Sequence, residues 1–144
     1  MSSFILLLLL TFATAIDFFV LQKYVEIKAQ YGDSAILQCS SNSPFEFCSW
    51  IHANDVCEME YKTRKNNVKL SKCNFVHRMT LRSNHSANIC AIELRNVSGK
   101  DAGIWKCIME EYKWAYDKGH TDTGEIHLVV EGIPASSKGT NNYQ

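Results

Sequence analysis

Apolar and polar residues alternate with a period of two along much of the chain. Val25, Ile27 and Ala29 share one parity, and Gly32-Asp33 then marks a turn. Ala35, Leu37 and Cys39 share one face of the next segment; Cys48, Trp50 and His52 share a face of another. Met79 and Leu81 alternate, as do Cys90, Ile92 and Leu94, with Val97 closing that run. Trp105 with Cys107, and Ile126 with Leu128 and Val130, complete the series, with Gly124 expected to open the last strand. Helical periodicity is hard to find. Many short strands with turn signals between them predict an all-β sandwich or barrel.

The first residues break this pattern. Phe4 to Phe12 is apolar apart from Thr11, and Ala13-Thr14-Ala15 follows as a small-x-small triplet. That run is too short to cross a bilayer, which takes about 20 apolar residues, and it reads as a cleaved signal peptide over 1–15. The mature domain is expected over 16–132 and a flexible polar tail over 133–144. No later segment reaches spanning length, so the expectation is a secreted, extracellular protein with no membrane span.

Composition agrees. Of 144 residues, 46% are hydrophobic, enough for one cored domain, and formal net charge is zero. Zero net charge gives no general attraction to nucleic acid. The basic run Lys62, Arg64, Lys65, Lys69 and Lys72 reads as a solvated face or, more sharply, as a patch for a sulfated glycan or acidic partner. Six cysteines (Cys39, Cys48, Cys57, Cys73, Cys90, Cys107) make an even set, which in an exported chain predicts three disulfides. No CxxC pair occurs and the histidines lack close ligand spacing, so neither a metal nor a cofactor is implied.

Cys39, Trp50 eleven positions on, and Asp101-Ala102-Gly103-Ile104-Trp105-Lys106-Cys107 together resemble the Cys, Trp, then Asp-x-Gly-x-Tyr-x-Cys signature of the immunoglobulin superfamily. Ile92-x-Leu94-x-x-Val97 is similar to the family's fifth-strand pattern, and Gly32 to Cys39 to the approach to its second strand. The likeness runs from Val25 to Val130. It implies an immunoglobulin-like Greek-key β-sandwich of the variable-like or intermediate set, since the stretch between Cys39 and Cys107 leaves room for extra edge strands.

The resemblance also implies that Cys39 and Cys107 bridge the two sheets with Trp50 beside the sulfurs, a closure that contributes about 4 kcal/mol in the chain-entropy treatment. Gly103 would relieve a tight corner, and Asp101 would cap it or pair with Arg78 or Arg82. Trp105 stands where the family has a tyrosine, which puts that corner's hydrogen bond in question. Four cysteines then allow three pairings. In the implied topology Cys48–Cys90 forms a second inter-sheet bridge toward the end where both strands begin, and Cys57–Cys73 staples an edge; Cys48–Cys57 is the competing arrangement.

Enzymatic signatures are absent: there is no GxSxG, no phosphate-cradling glycine loop and no HExxH. Glu58, Glu60, Glu110 and Glu111 read as solvent-face charges, so no catalysis is expected. Asn84-His85-Ser86 and Asn96-Val97-Ser98 are N-glycosylation sequons, with Asn84 placed in a turn and Asn96 beside a buried Val97. Partner binding is expected in the loop carrying Tyr112, Trp114 and Tyr116, with Phe45 and Phe47 of the preceding 41–47 loop beside it. Those aromatics could equally pack on the sheet as an extended hairpin. The expected function is binding of an extracellular protein, in cell-surface recognition, in adhesion or as a soluble ligand or decoy. The alternatives are an immune effector that binds a pathogen surface or glycan, and a disulfide-rich protease inhibitor.

Overall fold

A computed structural model describes residues 17–53, 55–62, 67–70, 75–112 and 119–135, with the backbone alone for 55–62, 67–70, 76 and 85. Among these residues nine strands form two sheets: β1 (Val25–Gln30), β2 (Ala35–Ser40), β3 (Phe45–His52), β4 (Asp55–Lys62), β5 (Asn67–Leu70), β6 (Met79–Leu81), β7 (Ile89–Leu94), β8 (Gly103–Glu111) and β9 (Thr121–Glu131). The larger sheet runs β1-β9-β8-β3-β4-β5 and the smaller β2-β7-β6. They face one another as an immunoglobulin-like β-sandwich. The stretch of chain between β3 and β6 forms β4 and β5, the extra strands for which the sequence left room, and they extend the larger sheet beyond β3.

Each sheet puts one parity of its residues into the shared core. Leu37 and Cys39 of β2, Cys90, Ile92 and Leu94 of β7, Trp105, Cys107 and Met109 of β8, and Ile126 and Leu128 of β9 are all buried. Burial of these side chains from both layers is the main driving force for closing the sandwich.

Two disulfides cross that core. Cys39–Cys107 and Cys48–Cys90 each link the smaller sheet to the larger, with Cα separations of 6.6 and 6.4 Å. Cys39 and Cys90 are direct cross-strand partners on β2 and β7, while Trp50 is the partner of Cys107 on β3 and β8. The second bridge therefore stands beside the first, at the level of the core's middle, rather than at a separate position toward one end. Register puts it there: the pairing that brings Ala35 opposite Leu94 also brings Cys39 opposite Cys90. The Cys57–Cys73 expectation lies outside the described side chains, and the expected signal peptide over 1–15 and residues 136–144 lie outside the described residues. Trp50 is fully buried, and its indole N–H makes no hydrogen bond among the described residues, so it serves as a hydrophobe.

The N-terminal segment before β1 joins both sheets. Val20 bridges Ser41 antiparallel, and the Leu21 N–H donates to Ser40 O at 2.9 Å. The chain then crosses over, and β1 runs parallel to β9 from Val25↔Ile126 to Gln30↔Glu131. Gly124 makes the crossing possible. It lies inside β9 rather than opening it, and a Cβ there would fall 2.3 Å from Gln22 O and 2.9 Å from Val20 Cγ1. The glycine marks a close backbone approach, where the sequence suggested a strand start.

Candidate functional site

The two ends of the sandwich are built differently. At one end lie the turn before β2, the 3-10 turn Gly99–Asp101 between β7 and β8, and the C-terminal end of β3. Asp101 is fully buried here. Its carboxylate accepts two bonds from Arg78, Nη1 to Oδ2 at 2.9 Å and Nη2 to Oδ1 at 2.7 Å, and one from the Ser98 N–H at 2.9 Å. Burial works against the charge, but the Arg78 bonds, the Ser98 N–H and the guanidinium charge outweigh it. They hold the carboxyl below the usual aspartate range. Of the two arginines the sequence offered, Arg78 takes the role; Arg82 pairs with Glu93 instead, Nε to Oε2 at 2.6 Å.

The corner hydrogen bond survives the replacement of tyrosine. Trp105 Nε1 donates to Asp101 O at 2.8 Å, four residues upstream, so the indole ties the turn to its own strand. His52 stacks on Trp105 with centroids 4.3 Å apart and planes 7° from parallel, and Phe75 meets it edge-on at 5.8 Å. The His52 ring nitrogens lie 3.2 Å from Ile104 O and 3.0 Å from Lys100 O. Gly103, with φ of 114°, takes a backbone conformation that L side chains rarely adopt. A cavity of about 560 Å³ opens at this end, lined by His52, Ala53, Phe75, Arg78, Asn96, Ser98 and Lys100.

At the opposite end four segments meet through backbone contacts. The Tyr112 N–H, just past β8, donates to Pro44 O at 3.1 Å. The Ser41 N–H donates to Asn88 O at 3.1 Å, which brings in the turn between β6 and β7. Asn42 holds the N-terminal segment: its N–H donates to Phe19 O (3.1 Å), its Oδ1 accepts from the Phe19 N–H (2.8 Å) and its Nδ2 donates to Asp17 O (2.8 Å). Asp122 accepts from the Val20 N–H at 2.7 Å and pairs with Lys23. Beside it the His120 ring bonds Glu111 Oε2 at 2.8 Å, and this bond keeps the Glu111 carboxyl below its ordinary range. Phe19 and Leu21, 39% and 54% exposed, present apolar surface along this segment.

Of the expected partner-binding residues, Tyr112 sits half-buried at the base of the β8–β9 loop, while Trp114 and Tyr116 lie outside the described residues. Phe45 is not a loop residue: it belongs to β3 and is fully buried, because the loop before β3 is shorter than expected and the strand already covers Phe45. Phe47 is half-buried opposite Glu110. Phe19 and Leu21 escaped sequence reading because Phe18-Phe19-Val20-Leu21 is a continuous apolar run with no alternation to tell its buried members, Phe18 and Val20, from its exposed ones. Both sequon asparagines are exposed. Asn84 bridges Ile89 in the β6–β7 turn, where its Oδ1 accepts from Ser86 Oγ at 2.8 Å; Asn96 takes a left-handed conformation, φ 52°, before β8.

The basic run falls on residues whose side chains lie outside the described set. Among the described residues no cluster of three or more His, Cys, Asp or Glu could hold a metal ion, and no helix is long and apolar enough to cross a membrane. No family model and no curated protein matches the chain.

Proposed function

We propose that the chain is a secreted glycoprotein of the immunoglobulin superfamily that acts by binding another extracellular protein, not by catalysis. Its contact surface is the end formed by the β2–β3 and β8–β9 loops together with the N-terminal segment. The observation that carries this reading is the convergence of those loops, bonded to one another through Tyr112, Pro44, Asn42 and Phe19, around exposed Phe19 and Leu21. Loops held on a rigid scaffold and bearing apolar or aromatic side chains are the usual means of protein recognition. The two inter-sheet disulfides support export, since such bonds persist in oxidising compartments. Edge strands β4 and β5 beside β3 favour the variable-like set over the shorter constant one.

The test is an extracellular interaction screen with the oxidised protein secreted by its own leader, followed by Trp114→Ala. Partner binding that weakens at least tenfold with an unchanged melting midpoint supports the reading. Unfolding of that variant would place Trp114 in the core, and full binding would move the contact surface elsewhere.

A further inference from the structure

The cavity beside the Asp101 corner and the second sequon coincide. Asn96 and Ser98, first and third residues of Asn96-Val97-Ser98, both line it, while Val97 between them is fully buried. The sequon is therefore anchored by its middle residue, with its acceptor and hydroxyl positions beside the opening. The cavity's size falls within the range of small-ligand sites. Its lining includes Phe75 and His52, which are aromatic, and Lys100 and Arg78, which are cationic. Arg78 is fixed by Asp101 and also donates to Asn96 O at 3.3 Å, so the wall beside Asn96 is preorganised. The other sequon lacks these features: Asn84 is exposed at the opposite end and lines no part of this cavity.

The geometry points to Asn96 as an N-glycosylation site whose first N-acetylglucosamine seats in this cavity, with its C–H face on the aromatic lining and its hydroxyl and acetamide groups toward Lys100 and Ser98. This rests on the secretory reading above. In the transfer, Asn96 Nδ2 attacks C1 of an oligosaccharide carried on a lipid pyrophosphate. The Nδ2–C1 bond forms, the C1–O bond to pyrophosphate breaks, and one amide proton is lost. The seated sugar then acts as an added piece of the β7–β8 corner, and the outer sugars extend away from the recognition end.

The experiment expresses the full chain carrying Asn84→Gln in secretory eukaryotic cells, so that Asn96 alone reports. Glycopeptide mass spectrometry reads occupancy. Melting midpoints are then compared for the intact glycoform, the form trimmed by endoglycosidase to one N-acetylglucosamine, and the never-glycosylated Asn96→Gln protein. The expected result is full occupancy, equal midpoints for the intact and trimmed forms, and a midpoint about 4 °C lower without the sugar, as for loss of a modest contact in a domain of this size. In a Phe75→Leu background the gap between trimmed and sugar-free forms should shrink to less than half, the mark of direct coupling. A secreted protein with Asn96 unmodified overturns the inference alone. Equal midpoints with and without the sugar, or a trimmed form as unstable as the sugar-free one, overturn the seating. Failure of the chain to leave the cell overturns the secretory reading and this inference with it.

Discussion

The Asp101 corner keeps its carboxylate inside, and the opposite end, where the β2–β3 turn meets the N-terminal segment, keeps its charges outside. Asp101 is fully buried and its carboxylate receives three hydrogen bonds, and beside it His52 stacks on Trp105 while the Phe75 ring packs tilted against both. Asp122 and Glu111 at the far end bond Lys23 and His120 directly but within reach of solvent, with side chains a quarter to a third exposed against partners more than half exposed. Both arrangements hold carboxyls below their ordinary range, yet their worth differs. A pair taken out of water leaves a costly orphan when broken, whereas an exposed pair trades with solvent. Chemistry that fixes the fold is concentrated at one end. The other keeps its ion pairs in contact with solvent and leaves Phe19 and Leu21 uncovered.

The sharpest way to break this contrast is Asp101→Asn. It should cost about 3 kcal/mol in chemical denaturation, because the Arg78 and Ser98 bonds lose their charge assistance. The pH dependence has a definite sign. A carboxyl whose folded value lies below its unfolded one stabilises the fold above the ordinary aspartate range, and that stability is lost as pH falls through the depressed folded value. The acid limb of the wild-type stability curve should therefore be steeper than that of Asp101→Asn, and parallel limbs would deny Asp101 its role.

Gly124→Ala comes next. Its Cβ collides with backbone at Gln22, so the N-terminal segment must shift, at a cost of about 2 kcal/mol in urea unfolding. Hydrogen exchange should show faster turnover at the Val20 and Leu21 amides and little change at Trp105. The smallest effect belongs to Glu111→Gln: the His120 pair is exposed, and its loss should move stability by no more than about 0.5 kcal/mol, less still in high salt. A loss comparable to that of Asp101→Asn would erase the distinction between the ends.

The strands were legible because each faces water on one side and core on the other, which prints alternation into Leu37-Cys39, Cys90-Ile92-Leu94 and Ile126-Leu128. Parity turned Cys48 and Cys90 inward, and their pairing followed only with the topology that the immunoglobulin resemblance implies; its place beside Cys39–Cys107 depends on β2–β7 register, which alternation does not specify. Asp101's partner was narrowed only to Arg78 or Arg82, since that choice depends on how the chain before β6 folds back. Phe45 was misplaced because a strand that starts one residue after a proline looks like loop. The N-terminal crossing was missed altogether. Its sole trace is Gly124, whose need for space becomes readable only once Val20 and Gln22 are known to pass over it.

Both ends depend on a middle cross-linked by two adjacent inter-sheet bridges. Peptide mapping of the non-reduced protein, expressed under oxidising conditions, by mass spectrometry tests this most directly. The fold described here gives Cys39 linked to Cys107 and Cys48 linked to Cys90. A Cys48–Cys57 peptide, or Cys39 and Cys107 recovered as free thiols, would contradict it.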